Sequence, residues 1–253
     1  MRVRVVPSAA GGGRLEYLTT FVIDGAVAID AGSLGFWASP AAQAGVAHVF
    51  LSHTHADHVC SLPMFVANTA SLRSAPPVIH GSAGVLDSLA RDVFNGRVWP
   101  DFLQLSAGGA PLLALTEAAA GVACAVGALR VTPVAVDHSI PTVSHIVDDG
   151  RSAIVISTDS GPTRTLWREA ARIPHLKAIF LGTSFPEEER ALAAVAGHLT
   201  PALVERELAK MPSGVPVYAV HIKPGHRRRV VRQLGALKRP HLSIGDSSRD
   251  YEF

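Results

Sequence analysis

Cysteine is scarce in this 253-residue sequence, where Cys60 and Cys124 are the only two. A disulfide-stapled scaffold is thereby excluded, and both thiols are expected to be reduced and packed. Long apolar runs are lacking as well. The longest uncharged stretch of small apolar residues, 118–129 between Glu117 and Arg130, holds twelve residues, well short of the roughly 20 that a membrane-spanning helix requires. The N-terminal Met1-Arg2-Val3-Arg4-Val5-Val6-Pro7-Ser8 carries charge but no continuous apolar core ahead of the Gly11-Gly12-Gly13 run. No secretory signal is therefore expected, and the cytoplasm is the expected compartment. No internal repeat, low-complexity linker or compositional break interrupts the chain, which reads as one domain over 1–253. Its apolar content of 48% suffices to bury a core and excludes disorder.

The formal charge is only +2, but it is unevenly spread. Residues 223–239 hold seven bases and no acid, which leaves 16 bases against 21 acids elsewhere. Such a run suits an anionic ligand. Val230, Val231, Leu234 and Leu237 interleave with it at helical spacing, so an amphipathic helix with a solvated basic face is the favoured reading.

Runs rich in β-branched residues recur at 2–6, 17–23, 26–30, 48–52, 122–136, 144–148, 151–157, 178–181 and 217–221. Helical patterns lie between them at 57–67, 82–94, 162–172, 187–196, 201–211 and 224–237, the fifth opening on Thr200 as N-cap with Pro201 at the first helical position. Asp149-Gly150 separates two β-branched runs and predicts a tight hairpin with positive φ at both residues. Helices in the same chain as hairpins predict an α/β fold of the α+β type, with packed sheets covered by helices rather than a doubly wound parallel sheet.

The most informative segment is His53-Thr54-His55-Ala56-Asp57-His58, directly after the run Val49-Phe50-Leu51-Ser52. Four metal-ligating side chains fall within six positions. If the strand ends near His53, the i, i+2 spacing lets His53 and His55 project to one side, while Asp57 and His58 open the next helix. Two ligand pairs at slightly different places suit two adjacent metal ions. One segment cannot close two coordination shells, so distant ligands are required. His138 follows the apolar run 131–136, Asp159 follows 154–157 and His221 follows 217–220, each where a strand delivers it to a loop.

This pattern resembles the metallo-β-lactamase-fold hydrolases and, more narrowly, the class II 3′,5′-cyclic-nucleotide phosphodiesterases. The narrower likeness rests on Phe94-Asn95-Gly96-Arg97-Val98-Trp99-Pro100-Asp101-Phe102, Asp137-His138-Ser139-Ile140-Pro141-Thr142, Ser184-Phe185-Pro186, Gly197-His198-Leu199-Thr200-Pro201 and His221-Ile222-Lys223-Pro224. The resemblance implies a four-layer αββα sandwich and two divalent metal ions. His53, His55 and His138 would hold one, Asp57, His58 and His221 the other, with Asp159 bridging both. Zn²⁺ suits such a ligand set, and Mn²⁺ or Fe²⁺ would accept it too. Two cations roughly 3.5–4 Å apart neutralise a phosphodiester, acidify a bridging water and orient in-line attack. The implied reaction is hydrolysis of cAMP or cGMP to the nucleoside 5′-monophosphate, with Asp57, Asp159 and His198 as catalytic residues.

His198, just before a helix N-terminus, resembles the family's phosphate-contacting histidine and is expected to donate a hydrogen bond or a proton. Thr142, Thr200 and Lys223 are expected at the substrate. Asp30, at the end of a strand, has two readings of equal standing: acceptor of an N–H from a ligand histidine, or turn former before Ala31-Gly32. Trp99 and Phe102 are read either as a purine-stacking platform or as core anchors. The sequence departs from its relatives at Gly182, where they commonly carry an acid before Thr-Ser-Phe. Any role of that acid in orienting His198 is missing here or taken by another group, and slower turnover is expected. The expected partner is a small cyclic nucleotide, with no membrane and no stable nucleic-acid partner, and with a homodimer as an allowed assembly. The rival readings are another phosphodiesterase of this fold, such as the tRNA 3′-processing endonuclease, and a catalytically weak nucleotide sensor. The endonuclease would need an RNA-gripping basic arm, and none is visible.

Overall fold

The computed structural model describes residues 1–8, 16–107, 109–247 and 249–253. The Gly11-Gly12-Gly13 run lies outside the described residues. The described residues form two compact units: Leu18–Ala119 with the N-terminal strand and Ser247–Glu252, and Ala120–Asp246 with Glu16, Tyr17 and Phe253.

The first unit is built on β1 (Arg2–Val5), β2 (Phe21–Ile23), β3 (Val27–Ile29), β4 (His48–Phe50), β5 (Val78–Gly81), the short ribbon β6 (Ser106–Ala107) and β7 (Ala110–Pro111), and β8 (Ala114–Glu117). The second carries β9 (Cys124–Val126), β10 (Leu129–Val136), β11 (Thr142–Asp148), β12 (Ala153–Ser157), β13 (Leu176–Gly182), β14 (Val217–Val220) and β15 (Leu242–Ile244), while β16 (Asp250–Glu252) returns to the first. The sheet orders are β16-β1-β2-β3-β4-β5-β8 and β15-β14-β13-β12-β11-β10-β9. Each sheet has an antiparallel half, ending at β3 in one and β12 in the other, and a parallel half beyond it. The parallel strands need crossovers. In the first unit these carry α1 (Pro40–Gln43), α2 (Ala56–Val59), α3 (Leu62–Thr69) and α4 (Ala83–Ser88), and in the second α5 (Thr165–Ala170), α6 (Arg190–Ala196), α7 (Pro201–Leu208) and α8 (Arg227–Ala236).

Each unit has its own core. Leu62, Phe65, Val66 and Thr69 form the buried face of α3 at helical spacing, and the first three join Val22, Val49, Leu51, Ile79 and Phe94. Trp99 and Phe102 pack against this same core, Phe102 lying 5.7 Å from the Phe94 ring, so the core-anchor reading describes them. In the second unit Trp167, Ile179, Leu181, Val204, Val230 and Leu234 are packed together. The basic segment does form an amphipathic helix, with Val230 and Leu234 of α8 buried. Part of its charge is answered by acids: Arg229 and His226 both reach Glu189, and Arg239 pairs with Glu205.

The elements differ from expectation where a local breaker acts. The run 122–136 is two strands folded at Gly127, whose φ of +59° turns the chain. The pattern 57–67 is two helices, because Pro63 starts α3 afresh. The helical pattern 162–172 shrinks to α5, and 224–237 opens with a 3₁₀ turn at Pro224–His226. Asp149-Gly150 does join antiparallel strands, but only Gly150 has positive φ, and the Asp149 carboxylate accepts from the Arg151 and Ser152 amides in a longer loop. Among the described residues no helix is long and apolar enough to cross a membrane.

Candidate metal centre

In each unit most of the chemistry-bearing residues sit past the carboxyl ends of parallel strands, where ligands bind in open α/β sheets, whereas His138 follows the antiparallel β10 and His198 lies between α6 and α7. In the first unit Asp30 directly follows β3 and the histidine cluster follows β4. Asp30 has a φ of +58°, so it turns the chain, and it is fully buried with its carboxylate engaged. Its Oδ1 accepts from the Ser52 amide at 2.8 Å, both oxygens lie within 3.0 Å of Ser52 Oγ, and Oδ2 accepts from His58 Nδ1 at 2.7 Å. The loop after it is pressed onto the start of α2. Ala31 donates to the His58 carbonyl at 2.7 Å, and a Cβ at Gly32 would lie 2.0 Å from the Asp57 carbonyl oxygen. Only glycine allows that approach.

These bonds decide which ring nitrogen is presented. A carboxylate only accepts, so His58 Nδ1 carries the hydrogen and Nε2 presents its lone pair, 3.9 Å from Asp57 Oδ2. Ser52 gives its single hydroxyl proton to Asp30 and so accepts from His53 Nδ1 at 2.9 Å. Nε2 of His53 then faces Nδ1 of His55, 3.0 Å away.

The second unit uses the same device. His138 Nδ1 lies 3.0 Å from the Gly197 carbonyl oxygen, which fixes Nε2 as the presented nitrogen, 3.4 Å from Asp159 Oδ2. Asp159 is buried, as are His198 and His221. Its Oδ1 is 3.0 Å from His221 Nε2, and its Oδ2 is 3.9 Å from His198 Nε2. Donor atoms of Asp159, His198 and His221 all lie within 4.8 Å of one another. The two oxygens of Asp159 thus face different rings, the geometry a bridging carboxylate needs. A buried carboxylate among imidazoles, with the Nδ1 atoms of His138 and His198 tied elsewhere, is a donor set that fits a divalent cation.

Of the seven predicted ligands, His53, His55, Asp57 and His58 are gathered in the first unit and His138, Asp159 and His221 in the second. Thr142 is buried and its hydroxyl donates to the Ile140 carbonyl at 2.8 Å. Thr200 is the N-cap of α7, but its side chain makes no capping bond. Lys223 stands half-buried at the head of the Pro224–His226 turn.

Three residues to which sequence reasoning assigned no role support this framework. Ser52 relays Asp30 to His53. Ser184 Oγ lies 3.1 Å from His198 Nδ1 and 3.0 Å from the His221 carbonyl oxygen. Glu16 accepts from the Ile222 amide at 3.2 Å, and burial pushes its carboxyl up to about 7 against the pull of the Ile222 and His221 amides and of Arg227. His221 itself has a φ of +53°, unusual for a non-glycine residue. Gly182 is sterically required, since a Cβ there would lie 1.6 Å from the Thr158 carbonyl oxygen, one residue before Asp159.

Residues 21–222 match the beta-lactamase superfamily domain, and the chain belongs to the metallo-β-lactamase superfamily and has its fold. That is the fold class expected from the sequence. Within the superfamily, the chain is 28% identical over 206 residues to a probable 3′,5′-cyclic-nucleotide phosphodiesterase of Yersinia pestis, a match that covers 71% of this chain and 57% of the relative. It is 26% identical over 220 residues to 3′,5′-cyclic-nucleotide phosphodiesterase 1 of Saccharomyces cerevisiae, covering 73% and 58% respectively. The chain thus spans less than three fifths of either relative's length. The crystal structure of unliganded yeast PDE1 superposes with a TM-score of 0.78 over 98% of both chains at 19% identity, a likeness of fold.

Proposed function

We propose that this chain is a single-domain, metal-dependent phosphodiesterase that hydrolyses cAMP or cGMP to the nucleoside 5′-monophosphate. The observation that carries this reading is the buried Asp159 carboxylate with Nε2 atoms of His138, His198 and His221 around it. The names of the two relatives support the choice of substrate.

His53, His55 and His138 are the proposed ligands of one divalent ion, and Asp57, His58 and His221 those of the other, with Asp159 shared. Zn²⁺ is the proposed metal, and Mn²⁺ or Fe²⁺ fit the same donors. When bound, the ions supply charge neutralisation of the phosphodiester and a water acidified towards neutral pH. The remaining work belongs to the chain. Asp57 and Asp159 would orient a water in line with the bond to the 3′-oxygen, and the water oxygen would bond to phosphorus as its proton passes to solvent. His198 gives the proton on Nε2 to the departing 3′-oxygen, the P–O3′ bond breaks, and the phosphate stays on the 5′-oxygen. Lys223 draws in the anionic substrate. Thr142 and Thr200 complete its contacts, Thr142 after releasing the Ile140 carbonyl. The proposed setting is the cytoplasm, with a small diffusible nucleotide and no stable nucleic-acid partner, and with homodimerisation allowed.

Product analysis of the metal-loaded protein with cAMP, cGMP and bis(p-nitrophenyl) phosphate, beside a metal-stripped control, tests this. Formation of 5′-AMP or 5′-GMP is expected only in the loaded sample. A 3′-monophosphate contradicts the choice of leaving group, cleavage of the artificial diester alone contradicts the substrate, and tight binding without turnover contradicts the enzyme. His198→Ala is expected to lower kcat by roughly 10²–10⁴ at unchanged metal content. An unchanged kcat would remove His198 from the reaction.

A further inference from the structure

Ser184 lies two residues past the end of β13 and is fully buried. Its one hydroxyl meets two groups, the His221 carbonyl oxygen at 3.0 Å and His198 Nδ1 at 3.1 Å. A carbonyl oxygen only accepts, and serine has a single proton to give. The hydroxyl therefore donates to His221 and turns a lone pair to the ring, which requires the ring hydrogen to be on Nδ1.

We propose that Ser184 is a positioning residue that fixes His198 as its Nδ1–H tautomer and holds the main chain of His221 in the same bond network. This sets Nε2 of His198 as the nitrogen that takes up and releases a proton, and Nε2 is the atom that faces Asp159 Oδ2 at 3.9 Å. The ring has further neighbours that limit its rotation, with His138 at 5.0 Å and Phe185 at 5.4 Å between centroids. The other end of the network matters too. His221 sits in the left-handed region, at a φ of +53°, a conformation that persists when its surroundings over-determine it. Ser184 secures its carbonyl, and Glu16 accepts from the next amide, that of Ile222, at 3.2 Å.

The chemical consequence follows from the preference of a free imidazole, which favours the hydrogen on Nε2. Left to itself, neutral His198 would present Nδ1 as its basic atom, on the side away from Asp159. With Ser184 in place Nδ1–H is kept throughout. A proton leaves Nε2 for the leaving oxygen and is replaced there from water, with no exchange of tautomers between turnovers. The catalytic part of this inference rests on His198 being the proton donor, whereas the tautomer does not.

Two-bond ¹H–¹⁵N correlation spectra of the full chain read the tautomer directly. The protein is chelator-treated so that no cation competes for Nε2, held at a pH where imidazole is neutral, and His198 is assigned by comparison with His198→Gln. Nδ1 is expected to be the protonated nitrogen in the wild type, with Ser184→Ala moving the population towards Nε2–H. An Nε2–H pattern in the wild type overturns the proposal without any variant. With metal restored, Ser184→Ala is expected to lower kcat on the cyclic nucleotide about ten-fold while KM stays within about two-fold, and Ser184→Thr to recover most of the loss. An unchanged kcat in Ser184→Ala, or no recovery in Ser184→Thr, overturns the positioning role. If no form turns over cyclic nucleotides, the substrate reading fails while the tautomer result stands on its own.

Discussion

A recurring device at the residue scale is an imidazole tied by Nδ1 to an acceptor. Asp30 holds His58, Ser52 holds His53, and the Gly197 carbonyl holds His138. Each ring is thereby rotated and protonated so that Nε2 is presented, before any cation arrives. Asp30 serves two rings at once, one directly and one through Ser52. Asp30→Asn is therefore expected to weaken zinc binding by roughly ten- to a hundred-fold, read by competition with a chromogenic chelator, and an unaltered affinity would remove Asp30 from that task. Gly182→Ala places a methyl group where the Thr158 carbonyl oxygen stands at 1.6 Å. It is expected to cost about 1–3 kcal/mol in chemical denaturation and to displace Asp159. The absence of an acid at this position is thus a packing requirement of this chain. The cluster of candidate ligands was legible because four of them stand within six positions after a strand. Ser52 and Ser184 were not, since a serine carries no spacing signal, and Glu16 is 206 residues from the amide it caps.

At the scale of elements, the parallel pair β4 and β5 brings His48 and His80 side by side, with Nδ1 of one 3.0 Å from Nε2 of the other. His80 is buried and stacked on Phe50 at 4.1 Å, and burial together with His48 pushes its pKa down to about 4. The unfolded chain, with an ordinary histidine near 6.5, binds the proton first as the pH falls. The stabilisation from neutral His80 is therefore complete above about pH 6.5 and is lost as the pH falls through about 4. Thermal melts between these limits are expected to show a weaker pH dependence for His80→Gln than for the wild type, by about 2 kcal/mol at the acidic end. Parallel slopes for the two proteins would contradict this. Among the elements, α7 was legible from Thr200 and Pro201, and α8 from its apolar stripe. The short strands β5, β8, β15 and β16 were not. β16 exists because it pairs with β1, as at Arg2↔Glu252, a partnership that no local window contains.

On the scale of the whole molecule, both sheets pass from antiparallel to parallel pairing at a middle strand, β3 or β12, and the candidate ligands other than His138, which follows the antiparallel β10, stand just beyond parallel strand ends. The shared pattern lies in backbone pairing, and an aspartate follows each middle strand, Asp30 after β3 and Asp159 after β12. Cations that bind the folded chain and not the unfolded one stabilise it by mass action. Chelation is expected to lower the melting temperature by several degrees, since about 2.7 kcal/mol is at stake at a hundred-fold excess of metal over its dissociation constant. The basic stretch 223–239 bears on partners at the same scale. The pairing of Arg229 with Glu189 and of Arg239 with Glu205 reduces what it offers to a polyanion. Elemental analysis of the purified, zinc-reconstituted chain tests the central claim most directly. About two ions per chain are predicted for the wild type and about one or fewer for His58→Ala and His221→Ala, whereas a wild type holding less than one ion in excess zinc would contradict the account.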